Sequence, residues 1–479
     1  MRDRAGLRLG RTRHVHFVGV GGIGMSGIAE LVANLGYRVS GSDARRSDVT
    51  DRLAALGVDV RIGHDVAHLG EADVVVVSSA IPADNPEVVD ARRRHVPVIP
   101  RAEMLAELMR LRTGIAIAGA HGKTTTTSMV ALMLERAGLD PTAVIGGRLS
   151  AFGSNARLGR GEYMVAEADE SDRSFLALSP TIAVITNIDR EHLEAYGAFE
   201  RLVDAFVQFA GRVPFYGAVV ACLDDPPVAA LLPRLTRPVI TYGFSEGADI
   251  RGEAPSTDGR RAECRVSGRR PSGAGAAVAG RLSLQVAGEH NLQNALAAVA
   301  VGFEVGLGFD QIASALAEFR GVERRYQTRG TARGVTLIDD YGHHPAEVAA
   351  VLRAARAGRP GRIVAVFQPH RYTRTRDLLH EFGPALALAD VVILTDIYAA
   401  GEAPIAGVTI DALAEAVGRS AAAPTVVRDL ADVPAAVARL SRPGDVVITL
   451  GAGSIGALGD RILAALARMP AVNAAAGEA

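Results

Sequence analysis

The sequence predicts an α/β fold with parallel sheets, divided into about three domains. The chain has 479 residues, too many for one compact core at about 100–200 residues per domain. Apolar segments of strand length alternate with helical segments, which is the pattern of parallel sheets. Two glycine-rich segments, residues 19–24 and 119–122, each follow such a strand and open a helix. We place the domains at residues 1–110, 111–322 and 323–479.

Composition excludes several classes of protein. Hydrophobic residues make up 48% and charged residues 22%, which is typical of a soluble globular protein. The formal net charge of -1 gives no overall attraction to nucleic acid or an anionic membrane, so we expect neither as a partner. The two cysteines, Cys222 and Cys264, lack metal-ligand spacing and cannot form a disulfide framework. No signal-peptide pattern or apolar run of the ~20 residues needed to span a membrane is present. We therefore expect a cytoplasmic protein.

Apolar periodicity locates the main elements. Strands are predicted at residues 16–20, 38–40, 74–78, 115–118, 163–166, 181–186, 336–338, 363–367, 391–395 and 446–450. Helices are predicted at residues 28–35, 124–137 and 291–305. Residues 252–280 are rich in Gly, Ser, Arg and Pro, which predicts a mobile loop or an irregular hairpin. The Ala- and Gly-rich tail after Pro470 predicts disorder.

The strongest motif lies between the strand at 115–118 and the following helix, and it reads Gly119-Ala120-His121-Gly122-Lys123-Thr124-Thr125. Backbone N–H groups of such a loop, with the helix N-terminus, form a cradle for phosphate. Lys123 is the only lysine of the chain, and its ammonium suits the β- and γ-phosphates of ATP. Thr124 or Thr125 is predicted to bind Mg²⁺. The usual spacing would place a glycine at Ile117, so the loop is a shorter variant; a turn that merely caps a helix is the alternative.

Acidic and imidazole side chains follow the next two strands. The run from Glu167 to Asp172 contains four carboxylates, and Glu167 is predicted to bind Mg²⁺, which prefers hard oxygen ligands. A solvated acidic loop is the alternative. His192 follows the strand at 181–186 and indicates a second cation site, although a structural or surface histidine is equally consistent with the motif.

Two further polar groups come later in the chain. Asn291 and Asn294, three residues apart at a helix start, share a face and predict contact with a nucleotide, with helix capping as the alternative. The second group is the segment 339–345, the segment 371–374 and Arg325. Acids, histidines and arginines at strand ends suit the binding of ribose, carboxylate and phosphate.

The first glycine-rich segment, residues 19–24, has Asp43 about 20 residues further on, after a second strand. This pattern meets the dinucleotide-binding fingerprint, which alone would indicate NAD. The same backbone geometry holds any diphosphate, including that of a UDP-sugar. Two separate phosphate cradles predict two phosphorylated ligands.

Taken in order, these motifs resemble the Mur ligase family over roughly residues 14–465. They are Gly-Gly-Ile-Gly-Met-Ser-Gly (21–27), the Gly-Lys-Thr loop, Glu-Ala-Asp-Glu-Ser-Asp, His-Leu, His-Asn-x-x-Asn and Asp-Asp-Tyr-Gly-His-His-Pro. As a set they are most similar to those of the alanine-adding branch. The resemblance implies an N-terminal Rossmann-like domain, a central P-loop ATPase-type sheet and a C-terminal Rossmann-like domain. It also implies ATP-dependent ligation of L-alanine to the lactyl carboxylate of UDP-N-acetylmuramate through an acyl phosphate, with two Mg²⁺ ions.

The resemblance also assigns roles by residue. ATP would contact the loop Gly119 to Thr125, which contains Lys123, and also Asn291, Asn294, Arg325 and Asp340. Mg²⁺ would bind Thr124 or Thr125, Glu167 and His192. Gly21, Gly22, Ile23, Gly24, Asp43 and Arg374 would hold the UDP-substrate. Tyr341, His343 and Arg371 would hold the amino acid, and Lys123, Glu167, His192, His343 and Arg371 are the expected catalytic residues. Some relatives are thought to use a carbamylated lysine near the metal, which this chain, with one lysine, cannot have.

Two alternatives remain open from the sequence. One is a sister ligase that adds a preformed tripeptide to the same UDP-sugar during wall recycling, which the choice of amine would distinguish. The other is a nicotinamide-dependent oxidoreductase built on residues 19–24 and Asp43, which would leave the segment 119–197 unexplained. The oligomeric state expected is a monomer or weak homodimer.

Overall fold

The computed structural model describes residues 9–78, 80–149, 154–191, 193–268, 278–358, 361–420 and 423–468. Three β-sheets of five, ten and six strands are present among them, and the predicted α/β class is confirmed. The chain forms two compact units. One comprises Met1–Ala254, Cys264–Leu282 and Gln293–Phe319, and the other comprises Pro255–Glu263, Ser283–Leu292 and Arg320–Ala479.

The first sheet is parallel, with strand order β3-β2-β1-β4-β5. Its strands are β1 (His14–Val18), β2 (Arg38–Asp43), β3 (Asp59–Ile62), β4 (Val74–Val77) and β5 (Val98–Pro100). Its helices are α1 (Ile23–Asn34), α2 (Asp48–Ala55), α3 (Pro86–Arg93) and α4 (Arg101–Arg110). The central strand β1 is buried along its whole length, as expected where helices cover both faces of a parallel sheet.

Helix α1 begins five residues earlier than predicted, because the glycine-rich turn itself passes directly into the helix. Gly22 is the N-cap residue, and no side chain caps the first turn. Ile28, Leu31 and Val32 of α1 are buried, so packing against the sheet stabilises a segment whose glycines disfavour helix.

The second sheet has the order β15-β14-β13-β12-β11-β10-β6-β9-β7-β8. Its strands are β6 (Thr113–Ala118), β7 (Thr142–Leu149), β8 (Ser154–Arg157), β9 (Tyr163–Glu167), β10 (Ile182–Ile185), β11 (Ala218–Cys222), β12 (Val239–Gly243), β13 (Ile250–Thr257), β14 (Ala262–Gly268) and β15 (Val278–Leu284). Its helices are α5 (Lys123–Arg136), α6 (Leu193–Tyr196), α7 (Phe199–Gly211), α8 (Pro226–Leu231), α9 (Glu289–Glu304) and α10 (Phe309–Leu316). Strand β6 lies between β10 and β9 and is parallel to both, so the three segments that follow these strands meet at one edge.

The segment 252–280 differs from the prediction of a loop or irregular hairpin, because most of its described part is regular strand. In β14, Ala262, Cys264 and Val266 are at most 3% exposed, whereas the intervening Arg265 is exposed. The alternation of a half-buried strand is therefore present but is obscured by the polar composition. Residues 269–277 and the predicted disordered tail, residues 469–479, lie outside the described residues.

The third sheet has the order β16-β17-β21-β18-β19-β20, with only the β16–β17 pair antiparallel among the described strands. Its strands are β16 (Gln327–Ala332), β17 (Val335–Asp340), β18 (Ile363–Phe367), β19 (Val391–Leu394), β20 (Thr425–Val426) and β21 (Val446–Leu450). Its helices are α11 (Pro345–Gly358), α12 (Tyr372–Asp377), α13 (Leu379–Leu386), α14 (Ile410–Gly418), α15 (Val433–Leu440) and α16 (Gly459–Ala467). Predicted strands 363–367 and 446–450 coincide with β18 and β21.

Among the residues described here, no helix has both the length and the apolar character needed to cross a bilayer.

Candidate active site

The loop between β6 and α5 requires glycine at two positions. Gly119 has φ 135° and Gly122 has φ 81°, a region that only glycine enters readily. A Cβ atom at Gly119 would overlap the Thr186 hydroxyl, and one at Gly122 would overlap the Asn294 side-chain oxygen. The backbone of the loop is therefore pressed against the segment that follows β10 and against α9.

Two residues that follow β10 fix this loop. Asn187 Oδ1 accepts from the His121 N–H at 2.8 Å, and Asn187 Nδ2 donates to the His121 carbonyl at 3.0 Å. The Thr186 hydroxyl donates to the same carbonyl at 2.7 Å. Paired donor and acceptor contacts of this kind hold the loop backbone in one conformation before any ligand is bound.

Lys123 opens α5, and its ammonium turns back towards the loop. Nζ donates to the carbonyls of Gly119 at 2.6 Å and Ala120 at 3.2 Å, and to Glu170 Oε1 at 2.8 Å. Burial lowers the pKa of Lys123, but the carboxylates of Glu170 and Asp169 raise it by more, so the net shift is upward. The ammonium therefore stays charged. Thr124 and Thr125, next in the helix, are each 8% exposed.

The acidic segment after β9 lies beside this loop. Glu167 is the last residue of β9, is partly buried and pairs in register with Ile117 of β6. Asp169 accepts from the Ser171 N–H at 3.1 Å. Glu170 is 2% exposed. The predicted carboxylates and the predicted phosphate loop thus lie at the same sheet edge, whereas His192 lies outside the described residues.

The two asparagines of α9 have different neighbours. Asn294 Oδ1 accepts from the Thr126 hydroxyl of α5 at 3.2 Å, which places Asn294 against the phosphate-loop helix. Asn291 Nδ2 donates to the Ala287 carbonyl at 2.6 Å. Only Asn294 is therefore placed beside the loop by a contact within its own unit.

Gly21, Gly22, Ile23 and Gly24 lie where β1 leads into α1, and Asp43, the last residue of β2, contacts Gly21. The Asp43 Oδ2 atom accepts from the Gly21 N–H at 2.8 Å, and Oδ1 accepts from the Arg45 N–H at 3.2 Å. No side chain caps α1 and its first turn contains no acid, so the N–H groups at its start suit an anion.

Arg101, which the sequence reasoning missed, lies between the two glycine-rich turns. It is the first residue of α4, and its guanidinium occupies the space that a Cβ at Gly24 would need. Its Nη2 atom is 3.8 Å from Asp169 Oδ2. The signal in the sequence is only its place after β5, at the edge where the strands of the first sheet end.

In the other unit, Arg325, Asp340 and Tyr341 cluster at the end of β17. The Arg325 guanidinium lies 5.2 Å from the Tyr341 ring centroid, as does that of Arg324, a distance typical of cation–π contacts. Asp340 accepts from the N–H groups of Tyr326 and Gly342, both at 2.6 Å. Burial nevertheless raises the pKa of Asp340 to about 6.

His343, Arg371 and Arg374 surround His370, which was not among the predicted site residues. The rings of His343 and His370 are 5.5 Å apart, and Arg374 Nη1 donates to His370 Nδ1 at 3.2 Å. Burial, with the nearby His343 and the two arginines, lowers the pKa of His370 to about 3. Arg371 adopts φ 71° and ψ 140°, a strained backbone conformation for a residue other than glycine. Such strain often marks a functional site.

Three family models match consecutive parts of the chain. Residues 14–113 match the Mur ligase family, catalytic domain, residues 117–302 the Mur ligase middle domain, and residues 324–453 the Mur ligase, glutamate ligase domain. The chain belongs to the Mur ligase family. The family predicted from the motifs is confirmed, and a nicotinamide-dependent oxidoreductase is not favoured.

Similar Mur ligases cover nearly the whole chain. The UDP-N-acetylmuramate–L-alanine ligase of Anaeromyxobacter sp. (strain Fw109-5) is 54% identical over 95% of this chain and 98% of its own length. The protein of the same name from Myxococcus xanthus (strain DK1622) is 53% identical over 96% and 97%. Among solved structures, UDP-N-acetylmuramate–alanine ligase from Thermotoga maritima has a TM-score of 0.78 at 30% identity, covering 94% of this chain and 98% of its own. A murein peptide ligase from Psychrobacter arcticus 273-4 has a TM-score of 0.70 at 24% identity, covering 96% and 100%, and shares the fold.

Within this Mur ligase, sequence reasoning located the loop and the strand ends but missed the side chains that hold them. Asn187 directly follows the predicted strand 181–186 and Glu170 lies inside the acidic run 167–172, yet nothing in the sequence indicated their roles. Their partners, His121 and Lys123, lie 66 and 47 positions away in sequence, so the contacts appear only when β6, β9 and β10 are adjacent.

Proposed function

We propose that this chain ligates L-alanine to the lactyl carboxylate of UDP-N-acetylmuramate, with ATP as cosubstrate. The observation that carries the proposal is the Lys123 loop at the junction of β6, β9 and β10, in a chain 54% identical to proteins of that name. Cys222 and Cys264 are free and buried, in keeping with a cytoplasmic enzyme. We propose a monomer or weak homodimer.

The first step transfers the γ-phosphoryl group of ATP to a carboxylate oxygen, which gives an acyl phosphate and ADP. A carboxylate is a poor electrophile until one oxygen becomes a good leaving group. In this step the N–H groups of the loop and the Lys123 ammonium hold the terminal phosphates in line with the acceptor. Catalysis of this kind depends on positioning and charge stabilisation.

Mg²⁺ fits the donor set at this edge. The hydroxyls of Thr124 and Thr125 and the carboxylate of Glu167 are hard oxygen ligands, and Glu170 Oε2 is a buried oxygen without a hydrogen-bond partner among the described residues. Thr124 or Thr125 and Glu167 would hold one ion, and His192 would serve a second. When bound, Mg²⁺ neutralises charge on the phosphates. The carboxylates of Glu170, Asp169 and Glu191 all act on the Lys123 ammonium. The site is therefore net negative, which favours such a cation.

In the second step the amine of L-alanine attacks the acyl carbon, and inorganic phosphate leaves. Arg371 and Arg374 supply guanidinium donors suited to the amino-acid carboxylate and the acyl end. His343 Nδ1 lies 3.0 Å from the Tyr341 carbonyl oxygen, which favours a proton on Nδ1 and leaves Nε2 as an acceptor. Asn291, Asn294, Arg325 and Asp340 are proposed to bind ATP. The turn at Gly21–Gly24, which Asp43 braces through the Gly21 N–H, is proposed to bind the UDP-substrate.

The test is phosphate release by the purified chain with UDP-N-acetylmuramate, ATP and Mg²⁺, and a panel of amines. The panel contains L-alanine, L-serine, glycine and the tripeptide used by the sister ligase. We expect release with L-alanine that depends on the UDP-sugar. Release with the tripeptide but with none of the three free amino acids would indicate the sister activity instead. No release with any amine would refute ligation.

A further inference from the structure

All three N–H donors of the Lys123 ammonium are used in hydrogen bonds within the protein. An ammonium has three donors, and these go to the carbonyls of Gly119 and Ala120 and to Glu170 Oε1. A phosphate oxygen can therefore bind Nζ only by replacing one of these acceptors. Of the three, Glu170 alone carries a charge, so it is the strongest competitor for the ammonium.

Glu170 is held in place by the segment around it and cannot swing freely into solvent. Its side chain is 3% exposed. Its backbone carbonyl accepts from the Tyr196 hydroxyl at 2.6 Å and from the Arg173 N–H at 3.1 Å. Both contacts hold the carbonyl group of Glu170 in place. The backbone that carries the carboxylate is therefore positioned by contacts other than the one with Lys123.

The carboxylate of Glu170 is incompletely satisfied. Oε1 receives the Lys123 bond, whereas Oε2 is buried without a hydrogen-bond partner among the residues that the structure describes. A buried carboxylate with few donors is held ionised mainly by its cation. Burial raises the pKa of Glu170 to about 7, against the opposing effect of Lys123. Lys123 is thus the main partner of this charge.

We propose that Glu170 is a positioning residue that acts through Lys123: it draws the ammonium back against the loop and competes with the terminal phosphates of ATP for it. The proposal rests on the proposed function in that the loop binds ATP. When the phosphates replace Glu170 as the partner of the ammonium, the buried Glu170 carboxylate loses its cation and lies close to the negative charge of the phosphates. Glu170 therefore lowers the affinity for ATP and sets the position from which Lys123 moves.

The experiment measures binding of a non-hydrolysable ATP analogue, and separately kcat and KM, for the full chain and Glu170→Gln. Glutamine keeps the size and one acceptor but removes the charge. We expect the Kd for the analogue and the KM for ATP to fall about fivefold, as for loss of one screened charge near the phosphates. We expect kcat to change less than about threefold, because Lys123 and the loop remain.

Asp172→Asn is the matched control. Asp172 is exposed and lies two residues further along the same loop, so the variant removes the same charge without touching Lys123. Less than about a twofold change is expected for an exposed charge. A second test places Glu170→Gln in a Lys123→Met background, where its effect on analogue affinity should vanish if Glu170 acts through the ammonium.

Weaker or unchanged analogue binding by a folded Glu170→Gln would overturn the proposal, and so would a kcat loss of tenfold with unchanged binding. If that variant fails to fold, Glu170→Asp provides the test, because the shorter side chain withdraws the carboxylate from Nζ and should also tighten binding. Wild-type chain that binds the analogue but performs no ligation would refute only the proposed function. If the wild-type chain performs ligation and Glu170→Gln binds the analogue with unaltered affinity, only the role of Glu170 is refuted.

Discussion

The two glycine-rich turns of the chain both join a buried parallel strand to a helix, but they differ in the charges they carry. The turn before α5 contains the single lysine, whose ammonium contacts the buried Glu170. The turn before α1 contains no cation of its own, and the Asp43 carboxylate contacts its Gly21 N–H. One turn therefore combines a cation with its counter-ion, and the other offers backbone donors braced by an anion.

This difference separates two tasks that the glycine pattern alone cannot separate. A cation beside the cradle suits terminal phosphates on which charge develops during transfer. A cradle of backbone N–H groups suits a diphosphate that is held and not changed. The following substitutions test whether the two turns act independently on two ligands.

The largest effect is expected for Lys123→Ala. Loss of a charged donor to the transferring group should lower ATP-dependent turnover by about 10²–10³-fold or more, while UDP-N-acetylmuramate still binds. Steady-state phosphate release and calorimetric titration of the UDP-substrate measure the two quantities. Preserved turnover with lost affinity for the UDP-substrate would reverse the assignments of the turns.

Gly119→Ala should come next. Its Cβ would lie 2.9 Å from the Asn187 carbonyl oxygen and would overlap the Thr186 hydroxyl, so the loop has to move. A shift of about 1 Å in a positioned group costs about 10²-fold in rate. Gly138→Ala is the control, because Gly138 has φ 77° at the end of the same helix and open space around its Cβ position. Equal losses in both variants would mean that backbone strain, not the clash, causes the effect.

Gly21→Ala is expected to act on the other ligand only. Its Cβ would lie 2.8 Å from Asp43 Oδ2 and 3.1 Å from Thr50 Cγ2, which displaces the brace of the first turn. We expect the KM for UDP-N-acetylmuramate to rise about tenfold, equivalent to about 1.4 kcal/mol of lost binding, with the KM for ATP unchanged. Initial rates with each substrate varied in turn provide the measurement. A parallel rise in both KM values would show that the turns are coupled.

Asp43→Asn should have the smallest effect, and its sign is informative. Asparagine retains an acceptor for the Gly21 N–H but removes a negative charge close to the expected diphosphate. Binding of UDP-N-acetylmuramate should tighten by about threefold. Weaker binding, measured by the same titration, would instead support the role that the dinucleotide fingerprint assigns to Asp43, as a ligand of the ribose.

The sequence predicted the strand ends because a continuous apolar run followed at once by polar residues is typical of a buried parallel strand that reaches the edge of its sheet. It located Glu167 at the end of β9 and the Lys123 loop after β6 for this reason. It placed the start of α1 five residues late because glycine propensity indicated a turn, and tertiary packing prevailed. Strand β14 was missed because its buried positions are small and its exposed ones are polar.

Side-chain partners could not be predicted in the same way. The Lys123–Glu170 pair and the Asp43–Gly21 bond join residues 47 and 22 positions apart, and each depends on the order of strands in a sheet. The acidic run predicted an electrostatic role but could not show which carboxylate faces the metal and which faces the ammonium. The structure assigns only the second of these, to Glu170.

A lone lysine whose side chain is only 18% exposed gives the protein a built-in probe. A protease specific for lysine has one peptide bond to cleave in the sequence, directly after the loop. Acylating reagents likewise have one side-chain amine to modify. Cleavage or labelling at that point would report how often the first turn of α5 opens, and protection by nucleotide would give its occupancy without any engineered label.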